Sequence, residues 1–360
     1  MNSKRLFDLI ILSLILIFVS SSLFGAELKD VKAETWEEWE YEVDNVGEIT
    51  ITDYIGCVDT QVSIPSTING MKVKCIGKDA FVNSILTDIT IPDSVTTIEE
   101  FAFRYCKALK SITIPDGVTS IENGTFEYCD SLKTVKIPNG VTRIDKEAFL
   151  DCKELIEINL PDSLVSIGEE AFSGCSKLTN VSLPDSLEVI DYNAFKGCNI
   201  NSIVIPKTVN KISGNIFGYC KNLESITISP DNETYNDGKG SNIIIETDSN
   251  TLISTCNGSV ISDDVYKLGN YSFYGTNIKK IHIPQNVVTT DDFPFVDCSS
   301  IEEITVSDDN AFFNDGDGSN VLVDTIKKSI ILGCVNSTIP ESVTTIDAFS
   351  FSGCNKLACK

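Results

Sequence analysis

The groups in this chain that could do chemistry are 13 cysteines, a single histidine (His282) and an acidic, glycine-rich run from Asp315 to Ser319. In an exported chain, cysteines first suggest disulfides. Their spacing argues otherwise. Cys106, Cys129, Cys152, Cys175 and Cys198 stand 23 residues apart, and Cys220 follows after 22. A cysteine at the same place in every turn of a regular coil forms a ladder and packs like a small hydrophobe. Ladder neighbours would lie ~4.8 Å apart with parallel side chains, so their Cβ atoms stay too far apart to bridge. Ser84 and Thr276 take the same place in other units, which suits packing. Free thiols are therefore expected, with Cys57–Cys75 the most plausible true bridge and Cys359 an odd, exposed thiol. No Cys-x-x-Cys pair exists, so no cysteine-bound metal is expected.

Asp315, Gly316, Asp317, Gly318 and Ser319 resemble the opening of a calcium loop, but its twelfth position is Ile326. A sister run carries Lys239 where a ligand should stand, and Asn, Asp and Gly are also ordinary turn residues. A turn is the expected reading. His282 falls between Ile281 and Ile283, at an outward strand position whose equivalents are Thr, Lys, Asn and Ser. It reads as a solvated face residue. Acidic residues show no convergent pair for acid–base work, and no nucleophile elbow or phosphate loop is present. No catalytic residue and no cofactor is expected.

The elements that carry these residues repeat. Pro92, Pro115, Pro138, Pro161 and Pro184 are 23 apart, and Pro206 follows after 22. A strict period of this length is the signature of a solenoid. In one unit Val135 and Ile137 alternate with Thr134 and Lys136, as in a strand with one buried face. Pro138 ends the strand, Val141 and Ile144 point inward from a turn, and Ala148, Phe149 and Cys152 have the spacing of one helical or 3-10 turn. Stacked units bury what one unit cannot, each Phe resting on the next. The expected fold is a curved α/β solenoid with a parallel sheet on its concave side and short helical or 3-10 turns on its convex side. A dozen coils would make a rod roughly 55–60 Å long.

The phrase Leu-x-x-Ile-x-Ile-Pro-x-x-Val-x-x-Ile-x-x-x-Ala-Phe-x-x-Cys resembles the BspA-type leucine-rich repeat, over roughly residues 48 to 357. That resemblance implies a secreted or surface protein of a bacterium or a parasitic protist. It also implies an adhesin or binding scaffold.

Residues 1–26 read as an export signal: Lys4 and Arg5, an apolar run from Leu9 to Val19, then small residues to Ala26. Cleavage is expected after Ala26, with Ala33 as second choice and an uncleaved anchor over Leu6 to Phe24 as the rival reading. Residues 27–60, with Trp36 and Trp39, read as an N-terminal cap, and 61–228 as repeats of about 23 residues. Residues 229–357 hold two longer units offset by 78, with Asn236 to Asn242 matching Asn314 to Asn320. Residues 358–360 read as a truncated end.

With 28 Lys plus Arg against 52 Asp plus Glu, the formal net charge is −24, which argues against nucleic acid and anionic membranes as partners. A monomer is expected to meet a protein or glycan on a host or neighbouring cell. The outward row of the sheet is the expected contact face: Ser111, Thr113, Thr134, Lys136, Glu157, Asn159, Asn180, Ser182, Ser202, Ser225 and Thr227. It is polar and has no Trp, Tyr or Arg anchors, which favours weak, multivalent contact. The alternatives are a structural spacer and, lower, a secreted hydrolase.

Overall fold

Phe81, Phe103, Phe126, Phe149, Phe172, Phe195 and Phe217 form a buried column in which each ring stacks on the next at 5.1–6.1 Å. Offset ring pairs of this kind contribute ~0.5–1.5 kcal/mol each beyond the area they bury. The computed structural model describes residues 34–56 and 60–354, and the stack runs through their first half. The expected export signal, Cys57 and Cys359 lie outside the described residues, and so does the Cys57–Cys75 pairing.

Each coil bonds to its neighbours on three sides. On the first, Gln61–Ser63, Asp88–Thr90, Ser111–Thr113 and Thr134–Lys136 form a parallel sheet; Ser202–Ile205 with Ser225–Ile228, and Lys280–Ile283 with Glu303–Val306, form two further pairs. At Pro92, Pro115, Pro138, Pro206 and Pro284 the proline after the strand opens a turn that the Val three residues on closes, as Val141 N–H does on the Pro138 carbonyl. The sequence of the second side predicts a plain turn, in which Val141 and Ile144 point inward. That side is instead an unbroken parallel ladder through Ser120–Ile121, Arg143–Ile144, Ser166–Ile167, Val189–Ile190 and Lys211–Ile212.

The third side corrects the expectation of helical or 3-10 turns. The segment Asp145 to Cys152 is a chain of β-turns, in which Ala148, Leu150 and Cys152 donate to the carbonyls three residues back. The intervening amides of Glu147, Phe149 and Asp151 donate instead to Glu169, Ala171 and Ser173 of the next coil. A helix would direct every amide four residues back along its own chain. Left-handed backbone at Glu147 (φ 57°) and Asp151 (φ 56°) blocks that, because it turns alternate amides outward along the rod. The same pairing recurs at Glu170 and Gly174, and at Asn193 and Gly197.

At the N-terminal end Glu34–Trp36, Trp39–Val43 and Ile49–Tyr54 pair antiparallel, and the last of these joins Met71–Ile76 in parallel. Trp39 is buried, with its ring 6.2 Å from that of Phe81, and it covers the first ring of the stack. Further on, each 78-residue unit contains an antiparallel meander. Tyr235–Asn236, Ile243–Glu246 and Thr251–Thr255 are matched by Phe313–Asn314, Val321–Asp324 and Ser329–Gly333, with the register shift at the same place in both copies.

Candidate binding face

The strand side is built by alternation. Ile112, Val135, Ile158, Ile203 and Ile226 point into the core, so their neighbours must face water. Ser111, Thr113, Thr134, Lys136, Glu157, Asn159, Asn180, Ser182, Ser202 and Thr227 are exposed, and Ser225 is half-buried. Register places Ser111 beside Thr134 and Thr113 beside Lys136, and likewise Ser202 beside Ser225 and Val204 beside Thr227.

This row is not one continuous sheet. Across the two coils that carry Glu157 to Leu160 and Asn180 to Leu183, the only pairing on this side is an isolated Glu157–Asn180 bridge. These coils place Leu160 and Leu183 where neighbours place Ile137 and Ile114. Leucine lacks the branched Cβ that favours extended backbone, and both leucines are only partly buried. The expected contact residues therefore divide into a paired group up to Lys136, a loosened centre, and a paired group from Ser202.

His282 lies at the far end of the row, exposed, with Nδ1 3.0 Å from Thr305 Oγ1 of the adjacent strand. The Asp315 run is a turn. Asp315 Oδ1 accepts the Gly318 N–H, Asn314 Oδ1 accepts that of Gly316, and Asp237 and Asn236 repeat the pattern in the sister copy. Among the described residues no group of three or more His, Cys, Asp or Glu side chains could hold a metal ion.

The cysteine ladder does more than fill space. Cys106, Cys129, Cys152, Cys175, Cys198 and Cys220 are free and buried, and each thiol points at the Phe carbonyl of the preceding coil, Sγ to O 3.0–3.2 Å. Burial pushes Cys152, Cys175 and Cys198 well above the usual thiol range, and Cys220 up to about 12. The reactive thiolate is thereby suppressed.

Two features of the turn side escape a reading of single units. Ion pairs link successive coils, such as Lys153–Asp130 at 2.7 Å and Lys177–Glu154 at 2.7 Å. Tyrosines also stand directly before ladder cysteines, at Tyr105, Tyr128 and Tyr219, where a scan of the residue preceding each cysteine would have found them.

The model of the BspA type leucine rich repeat region matches residues 74–164, 143–257, 249–317 and 322–359, with six copies, and the chain belongs to this family. No curated protein matches it. Among solved structures it is similar to a leucine rich cell surface protein from Faecalibacterium prausnitzii, at 29% identity and a TM-score of 0.72, covering 91% of this chain and 87% of that one. A leucine-rich repeat protein from Bacteroides ovatus is 25% identical with a TM-score of 0.58, covering 90% and 93%. The pneumococcal vaccine antigen PcpA shares the fold at 22% identity and a TM-score of 0.54, covering 78% of this chain and 71% of that one. Among the described residues no helix is long and apolar enough to cross a membrane.

Proposed function

We propose that this chain is an exported, non-catalytic binding scaffold that works at a cell surface as a monomer and contacts a protein or glycan on a host or neighbouring cell. The observation that carries the reading is the exposed polar row of the strand side. Its outward groups at Ser111 to Lys136 and at Ser202 to Thr227 stand on strands whose other face is locked into the core, and those of the loosened centre flank the buried Ile158. A rigid frame bearing short Ser, Thr and Asn side chains loses little side-chain entropy on contact. The family, and the description of the Faecalibacterium neighbour as a cell surface protein, support the same reading. The acidic net charge of −24 directs it away from nucleic acid and anionic lipid.

The test is attachment of the labelled, purified chain to cells, compared with a Thr134→Glu, Asn159→Glu, Asn180→Glu variant. Loss of attachment in the variant is expected. Attachment that is equal in both would transfer the chain to the class of structural spacers.

A further inference from the structure

On the turn side, one position per coil forms a column along the rod. It reads Tyr105, Tyr128, Asp151, Gly174, Gly197 and Tyr219, all with positive φ between 56° and 77°. Tyr105 and Tyr128 stack face to face at 4.9 Å with 3° between ring planes. That spacing is the coil repeat, so the far face of Tyr128 looks along the rod toward the next coils. There the column carries Asp151 and then loses its side chains at Gly174 and Gly197. A Cβ on Gly197 would meet only the Gly174 backbone, at 3.8 Å, and the space above Gly174 is taken by the carboxylate of Asp151. The result is a cavity of about 370 Å³ with the two glycines as its floor and Tyr128 and Tyr219 at its ends. This volume lies in the ~300–1,000 Å³ range of small-molecule sites.

The far wall is held in place. Tyr219 donates its hydroxyl to Asp297 Oδ2, and Ser352 Oγ donates to Asp297 Oδ1 at 2.6 Å. These bonds, that of Ser352 foremost, hold the Asp297 carboxyl below its ordinary range. Between the walls the side chains offer Asp151, Glu170 and Lys196, whose Nζ lies 3.9 Å from Glu170 Oε1. Among the described residues Asp151 has no ion-pair partner.

We infer that this notch, between Tyr128 and Tyr219 over Gly174 and Gly197, binds a short neutral oligosaccharide. A sugar ring has an apolar C–H face suited to a tyrosine ring, and hydroxyls that both donate and accept. Asp151 and Glu170 accept, and Lys196 donates. Two carboxylates against one ammonium disfavour an anionic sugar. An extended peptide is poorly served, because the Gly174 and Gly197 amides are already spent on the Lys196 and Gly218 carbonyls. Tyr128 and Tyr219 are four coils apart, ~19 Å at the usual strand spacing, which suits a chain of several sugar rings.

The inference rests on the reading of the chain as a binding scaffold, and its test separates the two. The whole chain is titrated calorimetrically with cellotetraose, maltotetraose, mannotetraose and N-acetylchitotetraose. Binding of at least one is expected, weakened about three- to tenfold by Tyr128→Ala, as loss of one ring face implies. Gly197→Tyr should abolish it by filling the notch. That variant should fold, since Tyr105, Tyr128 and Tyr219 hold the same column position at φ 58–60°. Lys207→Ala, in an exposed turn outside both the strand row and the notch, should change nothing. Binding of no tetrasaccharide, or binding untouched by both Tyr128→Ala and Gly197→Tyr, would overturn the assignment. Cell attachment without saccharide binding would remove the notch alone. Saccharide binding without attachment would remove the cell-surface reading alone.

Discussion

Asn232 and Asn310, 78 residues apart, close their two long units with the same hydrogen bonds. Nδ2 of Asn232 donates to the Pro206 and Val209 carbonyls, and Oδ1 accepts from Thr234 and Tyr235. Asn310 does the same with Pro284, Val287, Phe312 and Phe313. Replacing Asn232 with Leu removes all four bonds, leaving the Val209 carbonyl and the Thr234 and Tyr235 amides without this partner while the Pro206 carbonyl keeps the Val209 N–H, and a loss of about 2–3 kcal/mol is expected in urea unfolding. Asn232→Asp keeps the acceptor bonds and loses the donor ones, so it should fall between Leu and wild type. Equal stability of all three would show that the bonds are not formed in solution.

The ladder thiols should be invisible to Ellman-type reagent in the native protein and should all titrate once it is unfolded without reductant. Recovery of two or fewer thiols after unfolding would mean that bridges form after all. Within the ladder, Cys152→Ser retains a donor for the Phe126 carbonyl and Cys152→Ala does not. The Ala variant is expected to lose about 1–2 kcal/mol from the small cavity and the missing donor.

Glu147 tests the left-handed turn. If this segment were helical, Glu147→Gly would cost about 1 kcal/mol. At φ 57° the substitution relieves strain instead, so a neutral to stabilising change of up to roughly 1 kcal/mol is expected. Gly124 already holds this column position one coil earlier, at φ 58°. Thermal unfolding of the variant reads the sign directly.

Asp145 gives a dependence on pH. Burial pushes its carboxyl up to about 6, against the pull of Arg143. Burial also works on Glu122, but hydrogen bonds from Ser120 and Arg143 outweigh it and hold that carboxyl below its ordinary range. An unfolded Asp titrates near ~3.9, so folded Asp145 binds its proton more tightly than the unfolded chain does. The stability this contributes is full below about pH 4 and is lost as pH rises through about 6. Asp145→Asn never bears the charge, so it should be more stable than wild type at pH 7 and lose that advantage on acidification. An advantage that grew on acidification would reverse the assignment.

The repeat was legible in the sequence because Phe149, Cys152, Ile144 and Val135 recur at one spacing and each has a single buried role. The turn side was not. Left-handed backbone is signalled by glycine, and here Glu147, Asp151, Tyr105 and Tyr128 carry it. Those residues are held by bonds to the next coil, which no single unit reveals. The gap in the strand row follows from a small change, Leu160 and Leu183 in place of isoleucine, whose weight shows only when several coils are stacked. The tyrosine-walled notch is likewise a property of the stack. Tyr128 and Tyr219 lie 91 residues apart, and Asp151, Gly174 and Gly197 between them in the column join them into one surface.

The thiols that point at phenylalanine carbonyls are protected only in the finished molecule. A nascent, unstacked polypeptide crossing into an oxidising space would present the same sulfurs naked, each able to couple with the wrong mate. For the export proposed above, the column would have to assemble faster than its thiols oxidise, and winding up coil by coil would meet that demand better than a slow global search.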